Sequence, residues 1–354
     1  MEQNLPIETQ TLYAELLERM RVADLRRSLA SLTGGFVKRV LRDKPYWYFR
    51  TSEGISGQRE FYIGADDEAT RARIETVERQ REAADGGSTG LERMAAMLRI
   101  GGATTTDGST ARIIRGLSAA GVFRLGGILI GTHAYATLGN AMGVRWSSGL
   151  ATQDVDLAAP RTLGVGVPQS PEMLANVPRA LEALDMGFLP CVHYHSERKP
   201  TSYAAERNDW KVDFLTVPRG RDRTTPVHIP RLNVYAQPLE FMDYLIELSF
   251  DALVLNGAPI LVKVPEPARF GLHKLLVASN RDSSRQVKAA KDRQQAYEIL
   301  SFLALERPGD IELAAEALRD RGPKWVKRAV REAEKFASPV PGLLVALAGK
   351  PPID

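Results

Sequence analysis

Apolar residues recur at helical spacing near the start of the chain. Leu12, Leu16, Leu17, Met20, Leu25 and Leu29 form such a series, which predicts a helix or a broken pair over residues 9–32. Between residues 35 and 63 the pattern changes. Val, Tyr, Trp and Phe accumulate there, with turn residues at Asp43-Lys44-Pro45, Gly54 and Gly57, and a small antiparallel meander is expected. Asp66 opens an arginine-rich helical stretch to about residue 84, broken at Asp85-Gly86-Gly87-Ser88. Helices over 91–98 and 109–120 follow, the second stopped by Gly121.

The middle of the chain alternates two patterns. Short strand-like runs at 127–130, 155–158, 190–195 and 212–216 are interleaved with helical stretches at 134–138 and 171–184, an α/β arrangement. Beyond residue 239 helices dominate, at 239–248, 267–279, 284–305, 311–318 and 324–335. A strand pair, 252–255 and 259–264, interrupts them and turns at Asn256-Gly257, a strong hairpin signal. The expected fold is α/β (α+β). A mixed-sheet core over 121–236 lies between a helical region with its meander, 1–120, and a mainly helical region, 237–354.

Composition changes this picture little. The chain has 354 residues, 44% hydrophobic and 25% charged, as in ordinary globular proteins. Its 47 basic and 43 acidic residues leave a net charge of +4, which permits a polyanionic partner without requiring one. The single cysteine, Cys191, excludes an internal disulfide and a CxxC metal site, and fits a reducing cytoplasm. The amino terminus is polar, with no secretory pattern. No apolar run approaches the ~20 residues that span a bilayer, and 342–349 is far too short. A cytoplasmic protein with no membrane partner is expected.

Candidate chemistry concentrates in residues 126–158, GGILIGTHAYATLGNAMGVRWSSGLATQDVDLA. An apolar strand ends at Gly131-Thr132 and a helix follows. Then comes Thr152-Gln153-Asp154-Val155-Asp156-Leu157. Side chains alternate along a strand, so Asp154 and Asp156 share a face while Val155 and Leu157 enter the core. Two neighbouring carboxylates repel and call for a cation, and Mg²⁺ (or Mn²⁺) prefers such oxygen ligands. A third carboxylate, Asp213, stands in an apolar setting in Trp210-Lys211-Val212-Asp213-Phe214-Leu215. Three carboxylates suit two-metal phosphoryl transfer, with ions about 3.5–4 Å apart. Gly131 lets backbone approach phosphate, and Thr132 offers a hydroxyl and an N–H at a helix start. The chain has no GxxxxGK(S/T) phosphate loop, no HExxH and no GxSxG elbow.

Gly131-Thr132, Asp154-x-Asp156 and Asp213 together resemble the Gly-Ser…Asp-x-Asp…Asp signature of the DNA polymerase β-like nucleotidyltransferase superfamily, with threonine where serine is commoner. The resemblance continues through PEPARFGLHKLLVASN (265–280), Arg281 and Lys288-Ala-Ala-Lys-Asp-Arg-Gln-Gln-Ala. These look like the carboxy-terminal helical region of bacterial nucleotidyltransferases, and abortive-infection (type IV toxin) nucleotidyltransferases share a similar arrangement. It covers roughly residues 125–305. The resemblance implies Asp154, Asp156 and Asp213 as catalytic metal ligands, and Gly131, Thr132, Lys274 and Asp292 as the nucleotide site, with Lys274 on the triphosphate. Asp154 follows Gly131 by 23 residues, longer than the superfamily usually shows. The excess around 139–151 is expected to be an inserted loop.

Each residue has a plainer role to set beside this one. Asp213 can pair with Lys211 or Arg219, Lys274 can be a solvated helix tip, and Asp292 can pair with Lys288 at i−4. His193 and His195 read as a polar strand face and His133 and His273 as packing residues. Tyr46-Trp47-Tyr48-Phe49 suits base stacking or, more often, the core of a small sheet. Arg71–Arg81 is interspersed with Glu75 and Glu78, as a solvated helix face would be. The expected reaction moves a nucleotidyl group from an NTP such as ATP to a hydroxyl acceptor, with release of pyrophosphate. The acceptor stays open between RNA or tRNA, protein and small molecule. A nucleotide-binding regulator without transfer activity and an RNA-directed toxin are the alternatives.

Overall fold

The computed structural model describes residues 3–29, 34–41, 43–51, 60–82, 88–147, 152–160, 175–191, 199–220, 222–281 and 286–349. Strand β1 (Gln3–Asn4) leads into one continuous helix, α1 (Ile7–Leu29). The meander follows as β2 (Gly34–Leu41), β3 (Lys44–Thr51) and β4 (Glu60–Ala65), antiparallel in that order, with Asp43 in the left-handed region at the first turn. Helices α2 (Glu68–Glu82), α3 (Ser88–Ile100) and α4 (Gly108–Ala119) complete the amino-terminal part. Asp67, one residue later than expected, accepts from the Thr70 N–H at 2.7 Å at the head of α2. Asp66 instead holds Trp47, Lys38 and Arg71. Asp107 caps α4 through the Thr110 N–H, and Gly121 stops the chain behind it at φ +86.

The middle comprises β5 (Ile128–Ile130), α5 (Gly131–Met142), β6 (Val144–Arg145), β7 (Asp154–Ala158), α6 (Val177–Glu182), β8 (Phe188–Pro190), β9 (Ser202–Ala205), β10 (Lys211–Thr216), β11 (Val227–Ile229) and β12 (Val234–Pro238). Its mixed sheet runs β11-β12-β10-β7-β5, with β9 on β10 and β8 on β9. Strand β10 is the hub. It pairs in parallel with β7 along its length and shares its other edge between β9, near Lys211–Asp213, and β12, near Leu215 and Thr216.

The carboxy-terminal part contains α7 (Met242–Ile246), the hairpin β13 (Ser249–Val254) and β14 (Ile260–Pro265), then α8 (Pro267–Ser279), α9 (Gln286–Glu306), α10 (Pro308–Arg319), α11 (Pro323–Ala333) and α12 (Leu343–Ala348). Glu266 caps α8 by accepting from the Ala268 and Arg269 N–H groups, and Pro267 occupies the first turn, where no amide donor is needed.

The structure corrects several expectations. Residues 139–142 do not begin an inserted loop. They continue α5, which ends at Gly143 (φ +71), and β6 then pairs with β1. A Cβ on Gly139 would stand 2.7 Å from Trp146 Nε1 and 2.8 Å from the Val144 carbonyl, so glycine allows the chain to fold back tightly on the helix. The helix expected over 239–248 is confined to α7: the Leu239 N–H donates to the Thr216 carbonyl, Phe241 is left-handed at φ +68, and β13 begins at Ser249. Strands β9, β11 and β12 go beyond the strands that the sequence pattern predicts; β9 and β11 have only four and three residues, too few for alternation to stand out. The strand expected at 190–195 is limited to β8 within the described residues, and His193 and His195 lie outside them.

One hydrophobic core extends from Ala111 to Leu347, joining the mixed sheet to helices α8–α12. Smaller clusters surround Tyr13, Leu16 and Leu98, and Val22, Phe49 and Val77. Among the described residues no helix is long and apolar enough to cross a membrane.

Candidate functional site

The parallel pairing of β7 with β10 sets Asp156 opposite Asp213 and Asp154 opposite Lys211. Neighbouring strands lie about 4.8 Å apart, so matched side chains on one face are within a few ångströms of each other. The alternate residues Val155, Leu157, Val212 and Phe214 are at most 2% exposed, which leaves Asp154, Asp156, Lys211 and Asp213 on the opposite face. Strand β5 borders β7 on the other side, with Ile130 paired to Asp156. Directly after Ile130 the backbone turns into α5 at Gly131, where φ is +70. A Cβ there would fall 2.2 Å from Asp156 Oδ2 and 3.1 Å from its Cγ. Gly131 is therefore required for both backbone conformation and space. Thr132 is half-buried in the first turn of α5.

This crowding shapes the electrostatics. Burial raises the Asp156 carboxyl to about 7; the Asp213 charge pushes the same way, Lys274 opposes it, Asp154 adds and Lys211 subtracts. Both oxygens of Asp213 are engaged. Lys211 Nζ lies 2.7 Å from Oδ1 and 2.9 Å from Oδ2, and Ser202 Oγ on β9 donates to Oδ1 at 2.5 Å. Asp213 thus makes the lysine pair anticipated from the sequence. With the side chains so arranged, no three His, Cys, Asp or Glu groups among the described residues converge as a metal cage.

Helices α8 and α9 supply the basic side of the same face. Lys274 Nζ donates to Asp292 Oδ1 at 2.9 Å and lies 5.3 Å from the centre of the Phe270 ring. Arg281 Nε donates to Asp292 Oδ2 at 2.7 Å. Asp292 is only 4% exposed, so it is a buried anchor for two cations and not the surface partner of Lys288. Lys274 is likewise no solvated tip, its side chain being 12% exposed. Lys291 follows on α9. Burial lowers its pKa and Lys274 lowers it further, against the opposing charges of Asp292 and Asp154. It therefore stands within electrostatic reach of both halves of the site.

Two histidines border this cluster in neutral form. Burial holds His133 at about 4 and His273 at about 3, and the Nε2 atom of each has no partner among the described residues. Behind α5, Tyr135 donates to the buried Glu298, which also accepts from Ser147 and Gln294 at 2.8 Å each. This knot ties α5 and the segment leading toward β7 to α9. Sequence reasoning singled out neither Lys291 nor Ser202 nor Glu298. The period-2 alternation that picked out Asp154 and Asp156 already puts Lys211 on the face of Asp213, but nothing local marks Ser202 or Glu298.

The aromatic cluster divides between two faces. Phe49 is fully buried with Val22 and Val77, and Trp47 Nε1 donates to Asp66 at 2.8 Å. Tyr46 and Tyr48 pack on the other face against Tyr62, at centroid distances of 6.0 and 5.6 Å. In the arginine-rich helix, Arg71 and Arg73 are held by Asp66 and Glu18.

A nucleotidyltransferase family model matches residues 108–319, from the first turn of α4 to the end of α10. The chain belongs to that family. The match takes in well over half of the chain and every residue of the face just described. No curated protein matches it. Among solved structures, an antigenic nucleotidyltransferase-like protein from Paracoccidioides brasiliensis is similar at 13% identity and a TM-score of 0.31, over 64% of this chain and 95% of that one. Family membership makes this nucleotidyltransferase chain a candidate for nucleotidyl transfer with a nucleotide substrate.

Proposed function

We propose that the protein is a metal-dependent nucleotidyltransferase that moves an NMP from an NTP to a hydroxyl acceptor and releases pyrophosphate. The observation that carries this reading is the in-register pair Asp156–Asp213 beside the Gly131 turn, with the Lys274 charge acting on Asp156. The donor set fits a hard divalent cation. Three carboxylates share one sheet face, and Asp156 is crowded against Gly131 with its pKa raised by burial and a like charge. Asp154, Asp156 and Asp213 would hold Mg²⁺ or Mn²⁺, which supplies charge neutralisation at the triphosphate and activation of the acceptor oxygen.

The remaining roles belong to the chain itself. Gly131 and Thr132 present backbone N–H groups and a hydroxyl at the start of α5, where phosphate is favoured by the helix terminus. Lys274 and Lys291 supply positive charge to the triphosphate, and Asp292 orients Lys274. We assign nucleotide binding to the core over 121–236 and the cationic wall to 237–354. The experiment is incubation of the full chain with each labelled NTP, Mg²⁺ and total RNA, protein or small hydroxyl compounds in parallel. Labelled acceptor and released pyrophosphate are expected in one arm. Tight Mg–NTP binding with no transfer in any arm would instead support a regulator.

A further inference from the structure

The three carboxylates are not left to repel one another, because the chain supplies a cation of its own. We propose that Lys211 is a built-in counter-ion that occupies the Asp213 seat of the metal site and is displaced when a divalent cation is loaded. The inference rests on the metal-site reading given under the proposed function.

Four observations carry it. The Lys211 ammonium straddles the Asp213 carboxylate, 2.7 Å from one oxygen and 2.9 Å from the other, so it covers the edge through which that carboxylate would chelate a metal. Lys211 is in register with Asp154 across β7, so the lysine is rooted between the two outer carboxylates of the set. Its side chain is 40% exposed against 20% for Asp213, so the ammonium can leave toward water without uncovering packed apolar surface. Ser202, only 4% exposed on β9, donates to Asp213 Oδ1 from the strand on the other side. That bond keeps the carboxylate aimed at the shared face after the lysine has gone.

Lys274 is not equivalent. It is committed to Asp292, which also holds Arg281, and its side chain is only 12% exposed. Lys211 has one carboxylate partner that is itself needed elsewhere. Without metal the lysine offsets one negative charge of the face, and a divalent cation must outcompete it to reach Asp213. An ion pair as exposed as this one adds little to folding, so its removal should register in metal affinity far more than in stability.

The test is binding of Mn²⁺ alone, without nucleotide, to the full chain, followed by electron paramagnetic resonance and calorimetry. Lys211→Met keeps the length of the side chain and removes its charge. It should bind Mn²⁺ about two- to fivefold more tightly than wild type, the range expected when a weak competing ion pair is deleted. Lys211→Arg, which keeps the charge, should show no such gain, and adding Asp213→Asn to Lys211→Met should abolish it. If Lys211→Met does not fold, Lys211→Gln takes its place with the same expectation. Unchanged or weaker Mn²⁺ binding in the neutral variants overturns the proposal while leaving the metal site intact. If neither wild type nor the neutral variants bind Mn²⁺, the metal-site reading falls and this inference falls with it.

Discussion

Replacing Asp156 by Asn should stabilise the metal-free protein at alkaline pH while destroying its response to metal. The carboxyl is raised from 3.8 to about 7, chiefly by burial and then by Asp213. The folded state therefore binds a proton more tightly than the unfolded state. Stability linked to this group is fully present below the unfolded value near 4, declines as pH rises, and is lost once pH passes about 7. A shift of roughly 3 units at ~1.4 kcal/mol each sets a ceiling near 4 kcal/mol, and relaxation of the surroundings at the higher effective dielectric of a real protein brings the expected effect to about 2 kcal/mol. Asn carries no charge at any pH and escapes that cost. Urea unfolding of both proteins in EDTA at pH 4 and pH 8 reads the difference. The two should be close at pH 4, with the variant more stable at pH 8. Adding Mg–NTP at pH 8 should then raise the wild-type midpoint and leave the variant where it was, because ligand linkage requires the lost oxygen. A variant less stable than wild type at pH 8 in EDTA would refute the account of Asp156 as a buried carboxyl beside a like charge.

Three further outcomes follow from the same geometry. Lys274→Ala should weaken Mg–NTP binding by about 1.5–3 kcal/mol, measured by calorimetry, for loss of a charged contact. It should also cost about 1–3 kcal/mol in a denaturant melt, because the buried Asp292 keeps only Arg281; the sequence alone suggests no such structural cost. Asp213→Asn should retain thermal stabilisation by Mg–NTP yet lose transfer by several orders of magnitude in a labelled-nucleotide assay, and transfer at the wild-type rate would remove Asp213 from the site. Gly131→Ala combines φ +70 with a 2.2 Å encounter at Asp156. It should destabilise the fold by about 2 kcal/mol or more and abolish nucleotide binding, and an unchanged melting curve would contradict the tight turn.

Features encoded within a few residues were legible in the sequence. Helix α8 falls on the expected span because Glu266 caps it and Pro267 starts it, and both are consecutive in the chain. Alternation along five residues sufficed to put Asp154 and Asp156 on one face and Val155 and Leu157 in the core. The hairpin at Asn256-Gly257 was equally local, with Gly257 at φ +58. Only tertiary structure set Asp213 opposite Asp156, since register between distant strands depends on how the intervening chain returns. It also determined that Asp292 would be buried beneath Lys274 and Arg281, although its helical neighbours suggested a surface pair with Lys288. The continuation of α5 past residue 138 depended on Trp146 and Val144 folding back against Gly139, and the role of Gly131 on Asp156 arriving beside it. Period and capping are properties of adjacent residues. Charge pairing and close approach belong to surfaces that meet only when the sheet and helices have packed, and those contacts assemble the carboxylates and cations of this face.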